Sequence, residues 1–153
     1  MNWTSLKDTI YYSDGSMLDI YIHDTSINDW SNWIDFVNEK YVLGFHNGES
    51  GDVENKIKFE VIKAYWDRRI ETGSRVWFKI KKNLELDCDF IGSNEIENNF
   101  KPDIINSIED HNALVDYMQT ISLLLGKKVI LSPQSVQEIK LIECDATTIA
   151  ILE

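Results

Sequence analysis

An alternation of apolar and polar residues over residues 75–90, RVWFKIKKNLELDCDF, limits what this chain can fold into more than any other feature. Successive side chains of a β-strand point to opposite faces of the sheet, so each half of the segment predicts a strand with one apolar face. The loop Lys82-Asn83-Leu84 can join the two halves, because Asn tolerates the left-handed conformation that tight turns need. The segment therefore predicts a β-hairpin whose apolar face has to be buried by the rest of the chain.

The polar face of this hairpin carries basic residues on one strand and acidic residues on the other. A three-residue loop sets Lys81 opposite Glu85, Lys79 opposite Asp87 and Trp77 opposite Asp89, so the lysines are expected to neutralise the carboxylates. A metal ion needs ligands that converge, and carboxylates along one flat strand do not converge. The hairpin is therefore predicted to serve stability, with Cys88 buried and unreactive on its apolar face.

Two segments have the periodicity of amphipathic helices, SINDWSNWIDFVNEKY and SIEDHNALVDYMQTISLLLGKK. Each opens with a serine that an aspartate follows three residues later, Ser26 with Asp29 and Ser107 with Asp110, which is typical of a capping box. Gly126 fits the left-handed residue that ends many helices. The aromatic and aliphatic stripes of both helices are interpreted as core packing.

Several further segments are predicted to be strands. These are LDIYIH, KVILS and VQEIKLIEC, with Tyr11 and Tyr12 as part of a strand before the first, and with an alternation at Ile57, Phe59 and Val61 that also allows a helix. Together they predict one α+β domain over residues 1–153, in which two main helices pack on one face of a mostly antiparallel sheet of about six or seven strands. Residues 145–153, which contain TTIAILE, form either a last edge strand or a tail.

The composition of the chain favours a protein that folds in a reducing cytoplasm. Hydrophobic residues make up 43% of the sequence, which is enough for a core, but no apolar run has the length of about 18 residues that a membrane span needs. The first residues, MNWTSLKDTIYY, lack the basic and apolar parts of a signal peptide. Cys88 and Cys144 form no CxxC pair and are expected to stay reduced.

Charge is distributed unevenly along the chain, and its sum is −11. Residues 1–60 contain 11 acidic and 4 basic side chains, and residues 93–153 contain 10 acidic and 4 basic ones. Residues 61–92, with 5 acidic and 7 basic side chains, are slightly basic. Such a surface repels nucleic acid and anionic lipid and attracts basic proteins, although acidity can also serve solubility alone.

The sequence contains no motif that identifies an enzyme, a cofactor site or a metal site. It has no GxGxxG, Walker loop, HExxH, GxSxG or CxxC pattern. Its histidines, His23, His46 and His111, lie in three different segments without the spacing of metal ligands. His111 could act as a general base, alone or with Cys88, but an inward-facing histidine is the more ordinary interpretation. The chain is therefore predicted to bind a partner, to have no turnover and to use no cofactor or metal.

Three segments carry a resemblance to a known class of proteins. DGSxxDIY is followed by DTSxxDWxxWIDFVN, and SIEDHNALVDYM with LLGKKVILSP follows later. Over residues 3–142 the chain resembles small bacterial proteins associated with the immunity proteins of polymorphic and contact-dependent growth inhibition toxin systems. The resemblance implies that the protein binds and neutralises a cognate toxin, often a nuclease, in the cytoplasm of the producing cell. It implies no catalytic residues.

Contacts for such a toxin are expected among carboxylates and rings outside the hairpin. A nuclease needs a basic active site, and an acidic inhibitor is steered towards that surface. The predicted contacts are Glu49, Asp52 and Glu54 in the loop HNGESGDVEN, Asp19 and Tyr21 on the outward face of the first strand, and Asp29 and Asp35 on the polar side of the first helix. Another acidic binding protein, such as a nucleic-acid mimic or an adaptor, and an enzyme with an unrecognised site remain alternatives. A monomer is favoured.

Overall fold

The computed structural model describes residues 2–152, and within them one nine-stranded sheet forms the centre of the fold. The strands are β1 (Leu18–His23), β2 (Val42–His46), β3 (Val53–Glu54), β4 (Arg75–Lys81), β5 (Leu84–Asp89), β6 (Glu95–Phe100), β7 (Val129–Pro133), β8 (Ile142–Asp145) and β9 (Thr148–Ile151). They lie in the order β3-β2-β4-β5-β6-β1-β7-β8-β9, and each neighbouring pair is antiparallel. The helices are α1 (Trp3–Thr9), α2 (Ile27–Lys40), α3 (Phe59–Trp66) and α4 (Ile108–Leu125), with a 3-10 turn at Pro102–Ile104.

The prediction of an α+β fold with an antiparallel sheet is confirmed, but the number of elements was too low. The described chain has nine strands and four α-helices instead of six or seven strands and two helices. Tyr11 and Tyr12 follow α1 and belong to no strand, and the segment from Phe59 onwards is the helix α3. In residues 134–144 only the end forms a strand, β8, whereas residues 148–151 form the edge strand β9 that the sequence left open.

All four helices contribute to a single apolar cluster on one face of the sheet. Trp30, Trp33 and Val37 of α2 and Leu114 and Met118 of α4 are buried there against alternate residues of the strands. Trp33 packs edge-to-face against Phe78 of β4 with 5.8 Å between ring centroids. Within this layer the Trp33 indole donates to the Tyr117 hydroxyl at 3.1 Å, and that hydroxyl donates to Oδ1 of Asn98.

Helix caps follow the sequence prediction at one helix and depart from it at the other. Ser26 and Asp29 form the complete reciprocal capping box of α2, as predicted. At α4 the Ser107 hydroxyl accepts from the N–H of Asp110, but the Asp110 carboxylate accepts instead from the N–H of Asn106 and from Lys81. Gly126 ends α4 in the left-handed conformation with φ 65°, as predicted.

The hairpin β4–β5 has the predicted faces, but its predicted register is wrong by two residues. The strands place Lys79 opposite Glu85, Trp77 opposite Asp87 and Arg75 opposite Asp89. The connection is shorter than predicted, because Lys81 pairs with Leu84, and the register shifts between Lys79 and Lys81. A displacement by two residues keeps every side chain on its face, which is why the core residues of the hairpin were assigned correctly.

No helix within residues 2–152 combines the length and apolar character that a membrane crossing requires.

Candidate functional site

The side chains that alternate with the core residues of the strands lie on the other face of the sheet, which we call the open face. Within residues 2–152 the helices pack against the core side, and a loop crosses part of the open face. Its central members come from β4, β5, β6, β1 and β7: Arg75, Trp77, Asp87, Asp89, Glu95, Glu97, Asn99, Asp19, Tyr21, His23 and Ser132. Carboxylates therefore dominate the centre of the open face.

Residues 134–140 form a strap that crosses the open face over β1. The N–H of Ser135 donates to Oδ2 of Asp19 at 3.0 Å, and Gln137 Nε2 donates to Oε1 of Glu95 at 3.4 Å. Asp19 also accepts from the Tyr21 hydroxyl at 2.8 Å and from Nδ2 of Asn99 at 2.7 Å. Asp19 and Tyr21 lie on the polar face of β1, as predicted, but each is only 2% exposed, so the expectation that they are accessible to a partner is wrong. Their role in the described structure is to anchor the strap.

The accessible carboxylates of the open face surround a small hollow at the turn between β5 and β6. This acidic hollow has a volume of about 220 Å³ and is lined by Asp89, Ile91, Gly92, Asn94, Glu95 and Glu97. Glu97 stands opposite Tyr21 and Glu95 stands opposite His23 in the β6–β1 pair. Three carboxylates from two neighbouring strands therefore face one concave surface.

Cations of this chain neutralise the acidic hollow only in part. Arg75 is hydrogen-bonded to Asp87, and its Nε lies 3.6 Å from Oδ1 of Asp89, so one guanidinium serves two carboxylates. On the other side, Nδ1 of His23 lies 2.9 Å from Oε2 of Glu95. Lys81, which was predicted to pair with Glu85, is instead bound to Asp110 of α4 at 2.7 Å. The predicted pairs Lys81–Glu85 and Lys79–Asp87 therefore do not form, and the cation of β4 that binds Asp87 is Arg75.

Glu97 is held in the least favourable electrostatic position of this group. Partial burial raises the pKa of its carboxyl, and the nearby charges of Asp19 and Glu95 raise it further, while the neighbouring polar side chains of Tyr21 and Asn99 act in the opposite direction. Keeping Glu97 ionised at neutral pH therefore costs folding free energy. Electrostatic strain of this kind is concentrated at functional sites.

The remaining predicted contact residues lie in two other places. Glu49, Asp52 and Glu54 belong to the turn between β2 and β3 and to β3 itself, where Glu54 is bound to Lys58 at 2.6 Å and to Asn47 at 2.7 Å. Asp29 and Asp35 lie on α2, which packs on the core side of the sheet. Asp29 serves the helix cap and lies 3.7 Å from Lys127, whereas Asp35 is exposed. The seven predicted residues therefore do not form one surface.

The residues that could have served catalysis are placed in structural roles. His111 is buried and shares a hydrogen bond of 2.6 Å between Nδ1 and the Tyr11 hydroxyl, and burial lowers the pKa of His111. Burial raises the pKa of the Cys88 thiol. Cys88 is buried and forms no disulfide with Cys144, as predicted, and Cys144 is buried as well. Across residues 2–152, no three His, Cys, Asp or Glu side chains converge closely enough to hold a metal ion.

Much of the accessible part of the open face comes from a segment in which the sequence predicted no toxin contacts. Residues 94–100, NEIENNF, alternate Ile96, Asn98 and Phe100 with polar side chains, and this pattern is typical of a half-buried strand. It would have placed Glu95 and Glu97 on a polar face. The position of β6 beside β5 depends on tertiary structure, so the convergence with Asp89 could not be read from the pattern.

No protein family, curated protein or solved structure was found to match this chain.

Proposed function

We propose that this protein is an immunity protein, which binds a cognate basic toxin of its own cell and blocks it without turnover. The observation that supports the proposal best is the group of incompletely neutralised carboxylates, Asp89, Glu95 and Glu97, around the acidic hollow. The resemblance of residues 14–38 and 107–133 to immunity proteins of bacterial toxin systems points to the same role. The toxin is expected to present lysine or arginine side chains to this surface.

Long-range charge gives such an inhibitor speed and selectivity. A chain of net charge −11 attracts a basic protein from a distance, and it repels nucleic acid, which is the competitor for the active site of a toxic nuclease. The open face adds a local field of the same sign, because one arginine, Arg75, is shared between two of its carboxylates, Asp87 and Asp89. An acidic surface held over the basic cleft would take the place of the polyanionic substrate.

The stability cost at Glu97 supports a binding role for this surface over a purely structural one. A glutamine at position 97 would fit the same site without a charge, so folding alone does not require the carboxylate. Proteins keep such unfavourable arrangements where activity depends on them. A lysine or arginine of a bound toxin would supply the opposite charge that the isolated chain lacks there.

Co-expression with the protein encoded immediately upstream of this chain tests the proposal. If that protein is the toxin, its expression alone should stop growth, and co-expression of this chain should restore growth and give a 1:1 complex on gel filtration. The double variant Glu95→Lys/Glu97→Lys should lose protection while remaining folded by circular dichroism. A matched double variant on the helical side, Glu39→Lys/Asp116→Lys, changes the net charge equally and should still protect. Growth arrest that the wild-type chain does not relieve, with no complex formed, would refute the proposal.

A further inference from the structure

Ile91 is 76% exposed in the turn between β5 and β6, where three hollows meet. The acidic hollow lies on one side of it. On the other side is an aromatic hollow of about 550 Å³, lined by Tyr65, Trp66, Arg68, Ile70, Glu71 and Ile91. A third hollow of about 270 Å³ extends from Ile91 towards Tyr65, Arg75 and Asp89. An exposed aliphatic side chain therefore stands between a hollow that contains aromatic as well as charged side chains and a group of carboxylates.

The floor of the aromatic hollow is fixed before any partner arrives. Trp66 donates its indole N–H to the carbonyl oxygen of Phe90 at 2.9 Å. Its ring packs edge-to-face against Trp30 and Phe59, at centroid distances of 5.2 and 5.9 Å. A rigid apolar surface loses little conformational entropy on binding, which is the property of an efficient anchor site.

We infer that the aromatic hollow is the anchor site of the toxin, and this inference rests on the proposed function. The occupant is a loop of a basic protein that places one aliphatic or aromatic side chain between Trp66 and Ile91. Lysine or arginine side chains of the same loop lie over Asp89, Glu95 and Glu97. Aromatic and aliphatic side chains at the centre of an interface usually supply most of the affinity, while surrounding charges supply rate and selectivity.

Charge determines which occupant fits this surface. A second copy of the chain would bring another net charge of −11 to a site whose neighbouring hollow is already acidic, so self-association is opposed by long-range repulsion. A basic loop meets the carboxylates of the acidic hollow, while the aromatic hollow, whose Arg68 and Glu71 balance each other, adds no repulsion of its own. Arg68 and Glu71 on the rim of the aromatic hollow offer one donor and one acceptor group that fix the direction of the loop.

Truncation of Ile91 tests the anchor directly. The dissociation constant and the two rate constants are measured for wild type, Ile91→Ala, Glu95→Gln/Glu97→Gln and Leu123→Ala against the purified protein encoded immediately upstream. Leu123 is the matched control, since it is 57% exposed on α4, away from both hollows. Ile91→Ala should weaken binding by at least about 30-fold, mainly through faster dissociation, whereas Leu123→Ala should stay within about twofold.

Three outcomes separate this inference from the proposed function. The pattern just described supports both. In a second outcome the wild-type chain binds, Glu95→Gln/Glu97→Gln associates more slowly, and Ile91→Ala changes the dissociation constant by less than about threefold. This result overturns the anchor site and leaves the immunity role standing. Failure of the wild-type chain to bind or protect overturns the proposed function, and the anchor falls with it. Urea denaturation of Ile91→Ala, an exposed position, confirms that any loss of binding is not a loss of folding.

Discussion

The hydrogen-bonded group Trp33–Tyr117–Asn98 is expected to be the most sensitive polar feature of the core. The Tyr117 hydroxyl accepts from the Trp33 indole at 3.1 Å and donates to Oδ1 of Asn98, whose own Nδ2 has no hydrogen-bond partner in the described structure. Tyr117→Phe removes the shared hydroxyl and leaves one donor and one acceptor unsatisfied in a site that water does not reach. Each such group costs about 1–3 kcal/mol, so the variant should lose about 2–6 kcal/mol of unfolding free energy.

Urea denaturation at neutral pH measures this loss, with Tyr41→Phe as the matched control. Tyr41 packs on Tyr117 with 6.1 Å between ring centroids and is half-buried, but its hydroxyl has no side-chain partner among the described residues. Tyr41→Phe should therefore change stability by less than about 0.5 kcal/mol. The double variant Tyr117→Phe/Asn98→Leu removes the unpaired amide as well, and should lose less than the sum of its single changes. If Tyr117→Phe and Tyr41→Phe prove equally stable, the hydrogen-bonded group does not stabilise the core as described.

Four further changes have predicted outcomes, each measured by the free energy of unfolding in urea. Glu97→Gln should stabilise the protein by about 0.2–1 kcal/mol at pH 7. Because the pKa of Glu97 is raised in the folded state, wild-type stability is lost as pH rises through that raised value. The advantage of glutamine should therefore disappear once pH falls below the ordinary pKa of a glutamate. Lys81→Met should cost about 1–2 kcal/mol at pH 7, because it removes the cation bound to buried Asp110, although that carboxylate keeps its hydrogen bond from the N–H of Asn106. Burial opposes ionisation of Asp110, but the hydrogen bonds from Lys81 and from the N–H of Asn106, together with the charge of Lys81, outweigh burial and lower the pKa of Asp110. The Lys81 contribution should therefore fade as pH falls through that lowered value. Arg68→Gly should stabilise by about 0.5–1 kcal/mol, since Arg68 has φ 60° after α3, where glycine is favoured; equal or lower stability would contradict the strain. Gly48→Ala should destabilise by more than about 1 kcal/mol, because a Cβ would lie 2.2 Å from the carbonyl oxygen of Thr72.

Local patterns of the sequence predicted the elements whose signals are local. The alternation in β4 and β5, the capping box at Ser26 and the glycine that ends α4 each depend on residues a few positions apart, and each is present. Segments with mixed periodicity were less predictable. Residues 57–66 alternate at first, but Ile62 and Trp66 belong to the helical face, and tertiary packing against Phe90 and Trp30 favours the helix.

The candidate site depended on contacts that no local pattern contains. The polar face of β1 was identified correctly, but burial of Asp19 and Tyr21 results from a strap that lies more than a hundred residues away in sequence. The acidic hollow forms because β6 returns beside β5 and β1, which joins Asp89 to Glu95 and Glu97. The two-residue register error had a similar origin, since the turn length and the irregularity near Ile80 decide which cation meets which carboxylate.

The salt dependence of association with the upstream-encoded protein tests the central claim most directly, namely that the acidic open face captures a basic toxin. Stopped-flow rates are measured across ionic strength for wild type, Glu95→Gln/Glu97→Gln and the charge-matched Glu39→Gln/Asp116→Asn. The wild-type rate should fall steeply as salt shortens the screening distance to about 8–10 Å, and only the open-face variant should lower both the rate and its salt slope. A rate independent of salt, or equal effects of the two double variants, would contradict the account.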